Sequence, residues 1–257
     1  MKTTLAVNFS ELLERAPHHL ATFRERTADL SREEKGIRRS EMFFLYAAVA
    51  DFAPKRIIES GRARAQSTLV LSSLFPDAEI ISLESDGISP DVAIAAERLR
   101  DQHNVDCRFG DSRVLLPQIV REGDVVLIDG PKDFRAVKLA LSLLRAAKPA
   151  SVFVHDLWPG SPARSFVDRS LPSAFLSDAP RWVSSYAMLD SKRSAAPILP
   201  PNARVVYGAT LGCFPAGTEN YLIRLGQCGF AQGWERLRAN LGRAEEKDRP
   251  PDHTVVA

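Results

Sequence analysis

Apolar positions along the chain fall into a repeating order of short unbroken runs and helical stripes. Runs rich in β-prone residues occur at Arg56–Ser60, Glu79–Glu84, Val105–Phe109, Val125–Asp129 and Ser151–His155. Their starts are about 20 to 27 residues apart, the span of a strand and its crossover helix. Between them, apolar residues recur at helical spacing in Gln66–Phe75, Asp91–Gln102, Val114–Val120 and Phe134–Ala147. The runs are almost continuously apolar, as expected of strands buried on both faces. Five βα repeats of this kind predict a doubly wound, Rossmann-like α/β sheet, mostly parallel, with helices on both faces.

The flanks are less regular. Residues 1–40 read as a charged helical extension, a candidate lid, anchored by Leu12, Leu13, Leu20, Phe23 and Leu30. Ser40 is expected to cap a helix over Glu41–Phe52 that Pro54 closes. After Pro159 the rhythm breaks. Ala163–Phe175 reads as a helix interrupted at Pro172, and Trp182–Leu189 and Arg204–Phe214 read as two further strands, for a seven-stranded sheet, with Asn220–Leu225 a candidate last strand. Pro197–Pro201 is a loop between them. Residues 41–235 thus form the main domain, and 236–257 a charged tail, a frayed helix followed by disorder.

At 257 residues the chain suits one large α/β domain. A net charge of only +2 gives no reason to invoke nucleic acid or an anionic membrane surface. Cys107, Cys213 and Cys228 are scattered, which fits a reducing compartment, and the N-terminus lacks an apolar signal core; a cytoplasmic location is expected. A homodimer is compatible with the sequence but nothing in it calls for one.

The candidate chemistry lies at the ends of the runs. The first ends Glu59-Ser60-Gly61 and turns through Arg62, Ala63, Arg64 and Ala65 into a helix. A glycine turn ahead of a helix lets a ligand approach the backbone. Dinucleotide sites carry glycines at two further positions of this turn, where Ala63 and Ala65 stand here and suit close approach of a pyrophosphate poorly. Glu84 ends the second run and either accepts ribose hydroxyls or is a solvated strand end. Asp111 and Ser112 follow the third, as an adenine-side acid, a helix cap, or both. The fourth delivers Asp129, with Lys132 three residues on, and the fifth delivers His155 and Asp156. Five strand ends with five acids suggest a shared ligand, because unpaired carboxylates are costly to bury.

In this order and spacing the motifs resemble those of the class I S-adenosylmethionine-dependent methyltransferases, over about Glu41 to Pro159 and on towards Phe214. The family's acid and three alternating glycines read here as Glu59, Gly61, Ala63 and Ala65. The resemblance implies that Glu59, Gly61, Ala63, Glu84, Asp111, Ser112 and Asp129 hold S-adenosylmethionine. It is closest to small-molecule and sugar O-methyltransferases, which implies a small-molecule hydroxyl as methyl acceptor. In those enzymes aspartates placed like Asp129 and Asp156 bind magnesium; the third ligand position is Leu157 here, which leaves only a two-aspartate site. The resemblance implies Asp129 and Lys132 as catalytic groups, with Lys132 as the base; His155, by its own chemistry, is a second candidate base or hydrogen-bonded structure. Trp158, Phe166, Trp182 and Tyr186 either line an acceptor pocket or belong to the core. Two other readings stay open: a nicotinamide-dependent oxidoreductase, and a methyltransferase-like scaffold without activity.

Overall fold

A computed structural model of the chain describes Leu5 and residues 8–31, 36–190, 210–217 and 219–247. In chain order the elements are α1 (Phe9–Thr27), α2 (Arg39–Val49), β1 (Arg56–Ser60), α3 (Gln66–Leu74), β2 (Glu79–Glu84), α4 (Asp91–Leu99), β3 (Val105–Phe109), α5 (Ser112–Ile119), β4 (Val125–Ile128), α6 (Phe134–Ala146), β5 (Ser151–Val154), α7 (Pro162–Ser170), β6 (Phe175–Leu176), α8 (Pro180–Tyr186), β7 (Gly212–Pro215) and α9 (Tyr221–Lys247). The strands form one seven-stranded sheet in the order β3-β2-β1-β4-β5-β7-β6. β1 to β5 are parallel, and β7 runs antiparallel to both β5 and β6. This is the doubly wound, mostly parallel α/β architecture that the apolar runs predict.

Two layers of core follow from the two faces of the sheet. On one, Ile57, Ile80, Val125, Leu127 and Phe153 meet α1, α2, α3 and α8. On the other, Ile58, Ile81, Val126, Ile128, Val152 and Val154 meet α5, α6, α7 and α9. Adjacent residues of a strand therefore enter opposite cores, which is why β1, β4 and β5 read as unbroken apolar runs. β3 departs from that expectation, with Asp106, Cys107 and Phe109 exposed. It is the edge of the sheet and has a neighbour on one side only.

Several elements differ from their sequence reading. Trp182–Leu189 is not a strand; Pro180 opens α8, and Trp182 and Tyr186, one turn apart, both pack on Phe43 of α2. These two rings are core, whereas Trp158 is partly exposed. Phe166 is also buried, in the opposite core. Asn220–Leu225 is not a strand either, since the Asn220 side chain accepts the Ile223 amide and starts α9. Phe175, expected at a helix end, begins the short strand β6. Ser40 lies inside α2, which starts at Arg39; Glu41 caps it by accepting the Arg38 amide, while Ser40 binds Asp190 through its amide and hydroxyl. Of the segment Arg204–Phe214, residues 204–209 lie outside the described residues, as do Pro197–Pro201 and the tail beyond Lys247.

The N-terminal helix is part of the domain's core. Leu12, Ala16 and Phe23 of α1 are fully buried against α2 and α3. Among the described residues no helix is long and apolar enough to cross a membrane.

Candidate functional site

The chain winds from β1 outward to β3, then returns across the sheet to β4. The reversal leaves a crevice at the carboxyl ends of β1 and β4, where open α/β sheets bind ligands. A cavity of about 290 Å³ occupies it, lined among others by Gly61, Ser85, Asp111, Ser112, Pro131 and Arg135.

Gly61 permits the two strand ends to approach. Its φ is +88°, and a Cβ there would lie 2.9 Å from the Asp129 carbonyl carbon. Ala63 and Ala65 keep the backbone shape a glycine would take, with φ of 43° and 60°. Each such alanine costs on the order of 1 kcal/mol. The amides at the start of the loop are already used. Those of Gly61 and Arg62 donate to the Leu83 carbonyl, and that of Ala63 donates to Glu84 Oε2 at 2.8 Å. No ring of free N–H groups remains there to cradle a pyrophosphate.

The sequence-derived acids occupy three kinds of place. Glu59 is fully buried behind the loop and accepts hydrogen bonds from the hydroxyls of Ser67, Thr68 and Ser82. Burial raises its pKa against the pull of those donors. It ties β1 to α3 and β2 and presents no surface to the crevice. Glu84 and Asp111 stand at the rim. Glu84 Oε1 accepts the Ser85 and Asp86 amides, and Oε2 accepts only Ala63, leaving one oxygen with spare acceptor capacity. Asp111 caps α5 and is forked by Arg113, whose hydrogen bonds lower its pKa to about 2. Ser112 points inward and, like Ser60, donates to the Gly130 carbonyl.

Asp129, Lys132, His155 and Asp156 come together beside this crevice. Lys132 Nζ donates to Asp129 Oδ1 at 2.5 Å and contacts Asp156 Oδ2. His155 Nδ1 lies 2.7 Å from the same Asp129 oxygen and 3.5 Å from Asp156 Oδ1. Asp156 holds a left-handed φ of 61°, which aspartate tolerates better than most residues and which marks a constrained position.

A fifth member, Glu41, was not among the sequence candidates. It is buried on α2, and its Oε2 lies 3.5 Å from His155 Nε2. Glu41 Oε1 and His155 Nε2 are both buried without a hydrogen-bond partner. Its position in sequence shows only the first residue of an expected helix, so nothing local announces the contact. Burial disfavours a charged His155, but Asp129 on one side and Glu41 on the other outweigh it and push its pKa up to about 10. Burial likewise opposes charge on Lys132, and Asp129 and Asp156 again prevail and raise its pKa. For Asp129 burial acts upward, while His155 and Lys132 hold the carboxyl below its ordinary range. Both expected bases are therefore held as cations.

The residues present do not fit magnesium. Oxygen-seeking magnesium would need the two aspartates, yet these are bridged by an ammonium. A protonated His155 offers no lone pair, and Leu157, buried in the core, has no donor atom.

No family model matches the chain, and no curated protein matches it. Solved structures do. The O-methyltransferase TomG from Streptomyces achromogenes, in complex with SAM, is 16% identical over 82% of this chain and 97% of that chain, with a TM-score of 0.46. A methyltransferase from Podospora anserina bound to SAH is 19% identical over 82% of this chain and 89% of that one, with a TM-score of 0.44. An O-methyltransferase from Bacillus cereus in complex with SAH is 17% identical over 81% and 91%, also at 0.44.

Proposed function

We propose that this protein is an S-adenosylmethionine-dependent methyltransferase acting on a hydroxyl of a small molecule. The observation that carries this reading is the charge of the cluster beside the crevice. Glu41, Asp129 and Asp156 set three formal negative charges against the two positive charges of Lys132 and His155, a net of −1. A sulfonium is the one common group-transfer donor that brings a fixed positive charge, and it would neutralise the cluster. A nicotinamide dinucleotide would bring a pyrophosphate to a loop whose Gly61, Arg62 and Ala63 amides are spent.

In this reading the adenosine lies in the 290 Å³ crevice, its ribose hydroxyls shared with the free capacity of Glu84 and its base between Ser112 and Pro131. The acceptor oxygen attacks the methyl carbon in line with sulfur. The new C–O bond forms as the C–S bond breaks, leaving the neutral thioether and a methyl ether. The chain's main contribution is alignment. Lys132, about two-fifths exposed, faces the acceptor side and favours ionisation of its hydroxyl by proximity of charge. With Lys132 and His155 already protonated, the hydroxyl proton passes to Asp156, whose Oδ1 is not engaged by Lys132.

Calorimetric titration of the full chain with S-adenosylhomocysteine and, separately, with NADP tests the assignment. Saturable one-site binding of the thioether and none of the dinucleotide is expected. The reverse pattern would replace this reading with the oxidoreductase one, and silence with both would favour a scaffold.

A further inference from the structure

The two aspartates a divalent ion would use are joined by a cation of the chain's own. We propose that the Lys132 ammonium occupies the place of a divalent cation between Asp129 and Asp156, so that the site works without metal and becomes a metal site when the lysine is removed. This deepens the methyltransferase reading, but it is measured without any methyl donor, so the two can fail separately.

Three observations support it. The ammonium contacts one oxygen of each carboxylate, 2.5 Å from Asp129 Oδ1 and against Asp156 Oδ2. That is the bridging role an ion would play, filled by a group of one charge in place of two. Next, the residue following Asp156 gives no donor. Leu157 is buried, and its Cδ1 lies only 2.6 Å from where a Cβ on Gly212 would stand, so the side chain is wedged between β5 and β7. Finally, Asp129 and Asp156 each place a carboxylate oxygen within 4.8 Å of the other. The spacing of the two carboxylates suits an ion; the ammonium between them excludes one.

Charge gives the same answer. A divalent ion added beside the Lys132 ammonium would set two cations between the same pair of carboxylates. A cationic methyl donor would then be repelled from the position it must take. Deleting the Lys132 charge leaves Asp129 and Asp156 without the cation that bridges them, a pair costly to keep without a counter-ion. The deletion therefore creates affinity for an oxygen-seeking divalent ion.

The test is manganese binding followed by electron paramagnetic resonance of the free ion. The wild-type chain, stripped with chelator, is compared with Lys132→Ala and with Lys132→Met, which keeps most of the stem should the alanine variant fail to fold. Thermal melts confirm that the compared proteins are folded. Wild type is expected to show no saturable site, and a folded variant one site at least about tenfold tighter than any wild-type binding. The site should vanish when Asp129→Asn is added. One saturable manganese site on wild type would overturn the proposal, as would the absence of binding to both folded lysine variants.

Discussion

His155 Nδ1 and Asp129 Oδ1 lie 2.7 Å apart, and the same oxygen receives the Lys132 ammonium. One carboxylate oxygen thus anchors both cations of the site, with Glu41 holding the far side of the imidazole. The pair sets the protonation state of the whole cluster.

The first consequence concerns pH. The folded pKa of His155, about 10, lies above the ordinary value of 6.5. A group with a raised folded pKa stabilises the fold fully below its unfolded pKa and loses that contribution as pH rises through the folded one. Stability should therefore fall between about pH 6.5 and 10 relative to His155→Gln, measured by denaturant melts. An imidazole resonance that titrates near 6.5 by NMR would contradict the arrangement.

Glu84→Ala removes the oxygen assigned to the ribose. Loss of a charge-assisted pair of hydrogen bonds should weaken S-adenosylhomocysteine binding by about 10- to 100-fold. The thermal midpoint should drop only slightly, since Glu84 otherwise holds local amides. Unchanged affinity by calorimetry would remove Glu84 from the binding site.

The glycine turn makes opposite predictions at adjacent small residues. Gly61→Ala forces a Cβ to within 2.9 Å of the Asp129 backbone at a φ of +88°, and should cost about 2 kcal/mol or more. Ala63→Gly relieves an alanine held at φ 43° and should stabilise by about 0.5 to 1 kcal/mol. Chemical denaturation of the two variants checks both signs.

Asp190 binds α2 from afar, accepting the Ser40 amide at 3.0 Å and its hydroxyl at 2.6 Å. Asp190→Ala leaves a buried hydroxyl and amide without partners and should cost about 2 to 3 kcal/mol. Because Glu41 is the next residue of α2, the variant should also lower the His155 pKa, a shift that NMR would read.

The inner strands were legible because burial on both faces writes an unbroken apolar run, and Asp129, His155 and Asp156 sit where such runs end. The region after β5 was not. Trp182, Val183 and Tyr186 are β-prone by composition, but tertiary packing on Phe43 and the proline at the start of α8 settle a helix. Asn220 read as part of a strand because its capping role depends on the turn before it. At the site, strand-end acids announced themselves, yet their jobs did not. Glu59 looks like a ligand acid in sequence and proves to be a buried tie between β1, α3 and β2. Glu41 reaches His155 only through the packing of α2, which no local spacing encodes.

The claim that the cluster's negative charge receives a sulfonium is tested most directly by comparing S-adenosylmethionine with S-adenosylhomocysteine on wild type and Asp129→Asn by calorimetry. The two ligands differ by one methyl and one positive charge. Removing one negative charge a few ångströms away should weaken the sulfonium compound by about tenfold or more and the thioether far less. Equal losses for both ligands, or none for the sulfonium, would contradict the account.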